Sequence, residues 1–126
     1  MNTHAINWFE IPVSDFDRAK KFYETIFDYQ MPENTIGPAR MGFLLYDFQN
    51  GGRGGAIVHH PDFYTPSANG TMVYLNCDPD LQPILSRVTD AGGKILLEKT
   101  DIGGGLGFMS YILDSEGNRV ALHSMG

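Results

Sequence analysis

Cysteine is nearly absent, and the single Cys77 can form no internal disulfide and has no second thiolate for a metal site. That fits a reducing, cytoplasmic setting. Long hydrophobic runs are missing too, since the apolar stretches last only a handful of residues, against the roughly 20 that span a bilayer. Residues 1–6 carry neither a basic head nor an apolar stretch of signal-peptide length. Basic charge is sparse: 9 Lys and Arg face 15 Asp and Glu, the net charge is −6, and no basic cluster exceeds Lys20-Lys21. Such a surface repels phosphate backbones, so no nucleic-acid or membrane partner is expected. Low-complexity segments and charge runs are also lacking. What remains is 126 residues, 42% hydrophobic and 19% charged, the composition of one soluble folded domain with a continuous core.

Turn-forming residues, by contrast, are plentiful. Fifteen glycines and seven prolines are spread through the chain, which predicts many short strands around few helices. Only two segments read as helical. The first starts at the N-cap Asp15, with Asp17 near the positive end of the helix dipole and an apolar stripe of Ala19, Phe22, Tyr23, Ile26 and Phe27. The second starts near Asp78-Pro79-Asp80, with Pro79 suited to a first helical turn, and repeats the stripe as Leu81, Ile84, Leu85 and Val88 until Ala91-Gly92-Gly93 stops it. Strands are expected at residues 5–13, 41–48, 55–59, 71–77, 94–97, 107–113 and 119–123, with a weaker one at 29–31.

An internal repeat emerges on sliding the chain by 65 residues: Gly42-Phe43 falls onto Gly107-Phe108, Tyr46 onto Tyr111, Gly52 onto Gly117 and Ala56-Ile57 onto Ala121-Leu122. A slide of 63 to 64 places Val13-Ser14-Asp15 over Asn76-Cys77-Asp78. Each half therefore reads strand, helix, strand, strand, strand.

Three segments carry a further signal: residues 13–23, beginning Val13-Ser14-Asp15-Phe16-Asp17-Arg18-Ala19; then Ala91-Gly92-Gly93-Lys94; then Leu113-Asp114-Ser115-Glu116-Gly117-Asn118. In this order they resemble the vicinal oxygen chelate superfamily of glyoxalase I, bleomycin-resistance proteins and extradiol dioxygenases. The resemblance covers essentially the whole chain. It implies an α+β fold of two tandem βαβββ modules, about 1–62 and 70–126, in a single domain 1–126. These would form a cup-shaped mixed sheet holding a substrate and often a divalent metal, and the protein would usually be a homodimer.

Alternation along strands then sorts side chains between the helix-covered face and the cup. Phe9, Ile11 and Val13 would pack under the helix, leaving Trp8, Glu10 and Pro12 toward the cup. Val73, Leu75 and Cys77 would pack, leaving Met72, Tyr74 and Asn76; Val120 and Leu122 would pack, leaving Arg119, Ala121 and His123; and Ala56, Val58 and His60 would face inward. Metal-dependent members of the family place His, Gln or Glu on the first strand of each module and Glu on the last. The matching positions here are Trp8, Ala56, Met72 and Ala121, none of which offers the oxygen or imidazole nitrogen that a hard or borderline cation requires. Neither metal nor cofactor is expected.

Glu10 is the most informative polar residue, because a carboxylate among Trp8, Phe9, Ile11 and Pro12, if buried, has a raised pKa suited to a general base or acid. It is otherwise an edge carboxylate or a partner for Arg18 or Arg40. His60 and His123 share a phase and could bind an anion or shuttle protons, or simply close strand ends. Tyr46, Tyr74 and Tyr111 suit a small-molecule pocket or ordinary sheet packing. Gly103-Gly104-Gly105 and Gly51-Gly52 are not followed by Lys-Ser/Thr or a helix pattern, so they read as turns or a flap rather than phosphate loops. The expectation is a protein that binds a small organic molecule in the cup, as a metal-free lyase or isomerase using Glu10 with Tyr74 and His123. Trp8, Tyr46, Val58, His60, Met72, Asn76, Tyr111 and Ala121 would line the site. The alternatives are a non-catalytic protein that sequesters a drug or metabolite, and a metal-dependent lactoylglutathione lyase-like enzyme.

Overall fold

The structure, a computed structural model, describes residues 4–44 and 47–126, without the side chain of Phe48. The first half runs β1 (Phe9–Pro12), α1 (Phe16–Phe27), β2 (Glu33–Ile36), β3 (Ala39–Leu44) and β4 (Gly55–His59), with a short 3-10 turn at Phe48–Asn50. The second runs β5 (Tyr74–Asn76), α2 (Gln82–Leu85), β6 (Lys94–Asp101), β7 (Phe108–Leu113) and β8 (Arg119–Ser124). These are the two expected βαβββ modules. Each makes its own four-stranded mixed sheet, in order β1-β4-β3-β2 and β5-β8-β7-β6. The first strand of each module is thus an edge, parallel to the last strand.

Helix α1 forms where the sequence predicts. The Asp15 carboxylate accepts from the Arg18 amide at 3.0 Å, an N-cap that typically contributes about 1 kcal/mol. Asp28, in the left-handed region at φ 53, ends the helix by bonding its amide to the Glu24 carbonyl. Ala19, Phe22, Tyr23 and Ile26 are buried, in one core with Ile11, Val13, Leu75, Leu81, Leu85, Val88 and Leu122. The face pattern holds on β1, β4, β5 and β8, since Ile57 joins this core while Ala56 and Val58 pack with Met41 in a second, separate cluster.

Four expectations need correction. The second helix is regular only over Gln82–Leu85, and its first-turn proline is Pro83, while the Asp78–Pro79 bond is cis and precedes it. Beyond Leu85 the Arg87 and Val88 amides bond three residues back, to Ile84 and Leu85, so the coil tightens yet still buries Val88. The strand after α1 is Glu33–Ile36, not 29–31, because Tyr29 and Met31 pack against the core instead. Finally, the 65-residue slide misaligns the third strands. Phe43 stands opposite Ala56, and Tyr111 opposite Ala121, so Phe43 and Tyr111 are the mates. A longer β6–β7 link is offset by a shorter β7–β8 link. Gly107 resembles Gly42 only in name, since it sits outside its strand at φ 89 with the Ser124 carbonyl against it. No helix among the described residues is long and apolar enough to cross a membrane.

Candidate functional site

The motifs that carry the resemblance turn out to hold the modules together. Asp114, buried at the β7–β8 turn, accepts from the Tyr23 hydroxyl at 2.8 Å and from the Glu116 and Asn118 amides. Burial and the Asp114 charge together push the Tyr23 phenol well above its ordinary pKa. Glu116, from module two, reaches the start of α1 and accepts from the Ser14 and Asp15 amides at 3.1 and 2.7 Å, while Arg18 donates to it at 2.6 Å. Asn118 donates to the Pro12 carbonyl at 2.7 Å and accepts from the Ser67 amide at 3.0 Å, tying the end of β1 to the 61–70 connection.

Those ties shape a cleft between the two first strands. One cavity of about 320 Å³ is lined by Glu10, Pro12, Thr65, Ser67, Thr71 and Arg119, among others. A larger one of about 660 Å³ is lined by Ile6, Trp8, Arg53, Met72 and Tyr74, among others. Phe9, Thr71 and Val73 wall both. Of the expected site residues, Glu10 lines the smaller cavity and Trp8, Met72 and Tyr74 the larger, and the shared walls make the two cavities neighbours.

Glu10 is half-buried and bonded to neither Arg18 nor Arg40. Its Oε1 accepts from the Tyr64 hydroxyl at 2.6 Å and its Oε2 from the Trp8 indole at 3.4 Å. The bond to Glu10, with burial second, raises the Tyr64 phenol above its ordinary pKa. Tyr64 is the residue the sequence reading missed. The available signal was the aromatic pair Phe63-Tyr64 in an otherwise polar connection.

The other expected residues lie elsewhere or are already engaged. Tyr74 and Tyr111 hydroxyls lie 3.4 Å apart, and that bond, with burial second, raises the Tyr74 phenol. Asn76 accepts from the Asp78 amide in a tight turn. His60 Nδ1 accepts from the Asp62 amide, with its ring 4.9 Å from Phe63 and 5.8 Å from Tyr64. His123 Nε2 bonds the Leu106 carbonyl at 2.8 Å. No hydrogen bond joins His60 to His123, or Glu10 to Tyr74 or His123, among the described residues. Val58 and Ala121 are fully buried, and Tyr46 lies outside the described residues. Cys77 is buried, which pushes its thiol up to about 12.

The residues at the family's metal positions do not fit a cation. Ala56 and Ala121 carry no donor and are fully buried, the Trp8 indole nitrogen is itself a hydrogen donor to Glu10, and Met72 offers only a thioether. No group of three His, Cys, Asp or Glu side chains gathers elsewhere among the described residues.

A family model described as the Glyoxalase/Bleomycin resistance protein/Dioxygenase superfamily matches residues 5–122. The chain belongs to that superfamily. Two relatives named "Putative glyoxylase CFP32", from Mycobacterium bovis and Mycobacterium tuberculosis, are 31% identical over 121 residues, which is 92% of this chain but 44% of theirs. The chain thus spans less than half the length of those two relatives. A glyoxylase-like domain-containing protein of Didymella fabae is 31% identical over 93% of this chain and 91% of its own. Among solved structures, the trypanothione-dependent glyoxalase I of Leishmania major superposes with a TM-score of 0.70 at 16% identity, covering 98% of this chain and 88% of that one. Likeness at that identity shows the superfamily fold and no more.

Proposed function

We propose that the protein binds a small organic molecule in the cleft between β1 and β5 without the superfamily's metal, and that Glu10 acts there as general base and acid in a lyase or isomerase step. The observation that carries this reading is the division of labour at the Glu10 carboxylate. Oε1 is tied to Tyr64 at 2.6 Å, whereas Oε2 has only the long 3.4 Å contact from Trp8, so Oε2 is the atom free to take a proton from the ligand. It returns that proton to another ligand atom in an isomerisation, or to the leaving group in an elimination. Tyr64, riding on the 61–70 connection, fixes the carboxylate and walls it off from that side. Tyr74 lines the larger cavity, whereas His123 lines neither cavity and serves the Leu106 turn.

Sequestration without turnover is the second reading, favoured by the largely apolar lining of the larger cavity around Trp8, Met72 and Tyr74. A metabolite and antibiotic thermal-shift screen supplies the ligand, because a native-state binder raises the melting point by mass action. With that ligand, Glu10→Gln should keep binding and lose at least about 100-fold in turnover. Turnover retained in that variant removes Glu10 from the chemistry, and a ligand bound but unchanged by the parent protein establishes sequestration. A lactoylglutathione lyase-like activity requires metal-stimulated consumption of the methylglyoxal–glutathione hemithioacetal, and a flat assay with added nickel or zinc disposes of it. The same reading includes a homodimer in a reducing cytoplasm, with no nucleic-acid partner for a chain of net charge −6.

A further inference from the structure

Three arginines are committed to neighbours: Arg18 to Glu116, Arg40 to Asp17 and Glu33, and Arg87 to the Ile26 carbonyl. The other two, Arg53 and Arg119, have no hydrogen-bond or ion-pair partner among the described residues. The residues outside that description include no Asp or Glu. Among the described residues Arg18, Arg40, Lys20 and Lys99 have carboxylate partners, and the two arginines with no partner at all both line the cleft, Arg119 in the smaller cavity with Glu10 and Arg53 in the larger one. Among the described residues, Arg53 is the only charged one lining that larger cavity, whose walls are otherwise mostly apolar. Trp8 and Tyr74 are 37% and 49% exposed there, so aromatic surface is left for a ligand to cover.

We infer, resting on the reading that this cleft binds a small organic molecule, that its ligand is an aromatic or otherwise apolar organic acid. The carboxylate, or a similar planar oxyanion, pairs with Arg53, whose guanidinium fork suits bidentate contact. The apolar body lies against Trp8, Met72 and Tyr74, where burial supplies affinity. The far end passes Phe9, Thr71 and Val73, which wall both cavities, and reaches Glu10.

Trp8 is the only tryptophan, so its emission reports on this cavity directly. The probes are 3-phenylpropanoate, its neutral amide and 3-phenylpropylammonium, titrated by calorimetry and by Trp8 emission. The acid should bind about tenfold more tightly than the amide. Arg53→Gln should abolish that preference, Arg53→Lys should keep part of it, and Arg119→Gln should leave it intact, with all three variants checked for native circular dichroism. Equal binding of acid and amide by the parent, or a preference that survives Arg53→Gln, overturns the inference while leaving a small-molecule cleft standing. If none of the three probes binds at millimolar concentration the inference also falls, and the cleft reading falls with it when the metabolite screen is blank as well.

Discussion

Glu116 has a side chain with no exposed surface, yet it is ionised. Burial alone would push its carboxyl up, but the Arg18 guanidinium, the Asp15 amide and the Ser14 and Ser115 hydroxyls together hold it down to about 2. Because the folded value lies below the ordinary 4.5, the stabilisation is complete above that pH and is lost as pH falls toward 2. Glu116→Gln keeps the shape but removes the charge that Arg18 and the α1 amides face, so it should cost about 2 kcal/mol in urea unfolding at pH 7. Its melting temperature should also fall less steeply than the parent's between pH 4.5 and pH 2. Parallel acid profiles for the two proteins would show that Glu116 is not the titrating group. The resemblance marked this residue, but not what it does, because its partner Arg18 lies 98 residues away in sequence. Glu10 was legible in the same partial way. Its place on the strand followed from alternation, while its partner Tyr64, 54 residues on, belongs to a connection with no periodic pattern to read.

At the scale of elements, the segment Ala91-Gly92-Gly93-Lys94 shows why a motif can mark a fold rather than a site. Gly92 sits at φ 104, and a Cβ on Gly93 would come within 2.6 Å of the Leu113 carbonyl and 2.7 Å of the Phe22 ring. The close approach lets the chain leaving α2 pass beneath α1 and enter β6. Gly93→Ala should therefore destabilise by about 2 to 3 kcal/mol, measured as a shift in the urea midpoint with an unchanged slope. A loss below about 0.5 kcal/mol would mean the turn relaxes without cost. Elements built on local periodicity were the legible ones: the α1 stripe, the alternation on β1, β5 and β8, and the exact span of β4. Elements whose form depends on distant contacts were not. Val88, after Leu85, keeps its buried position while the backbone there leaves α geometry. The pairing of Phe43 with Tyr111 as repeat mates depends on link lengths that identities alone misread.

At the scale of the whole molecule, the family's metal centre requires donors from both modules at once, which makes it a property of the duplication rather than of any one strand. Glu10 pairs with Ala56 in one sheet, and Tyr74 pairs with Ala121 in the other. The two modules therefore present equivalent backbones, with the donor positions two residues before Glu10 and Tyr74 and directly opposite them. On this symmetric frame stand Trp8 and Met72, Ala56 and Ala121. Two of these four side chains, Ala56 and Ala121, are buried methyl groups, and the other two bring an indole and a thioether. Retention of a borderline cation through dialysis needs three or four oxygen, nitrogen or thiolate ligands held together, and among the described residues no such group gathers. Incubation with zinc, nickel, manganese or ferrous iron followed by dialysis should accordingly leave well under about 0.2 equivalents by elemental analysis, with no change in melting temperature. Stoichiometric retention of any of them, with a matching thermal shift, would place a donor set outside those four positions. The lactoylglutathione lyase-like reading would then displace the metal-free one.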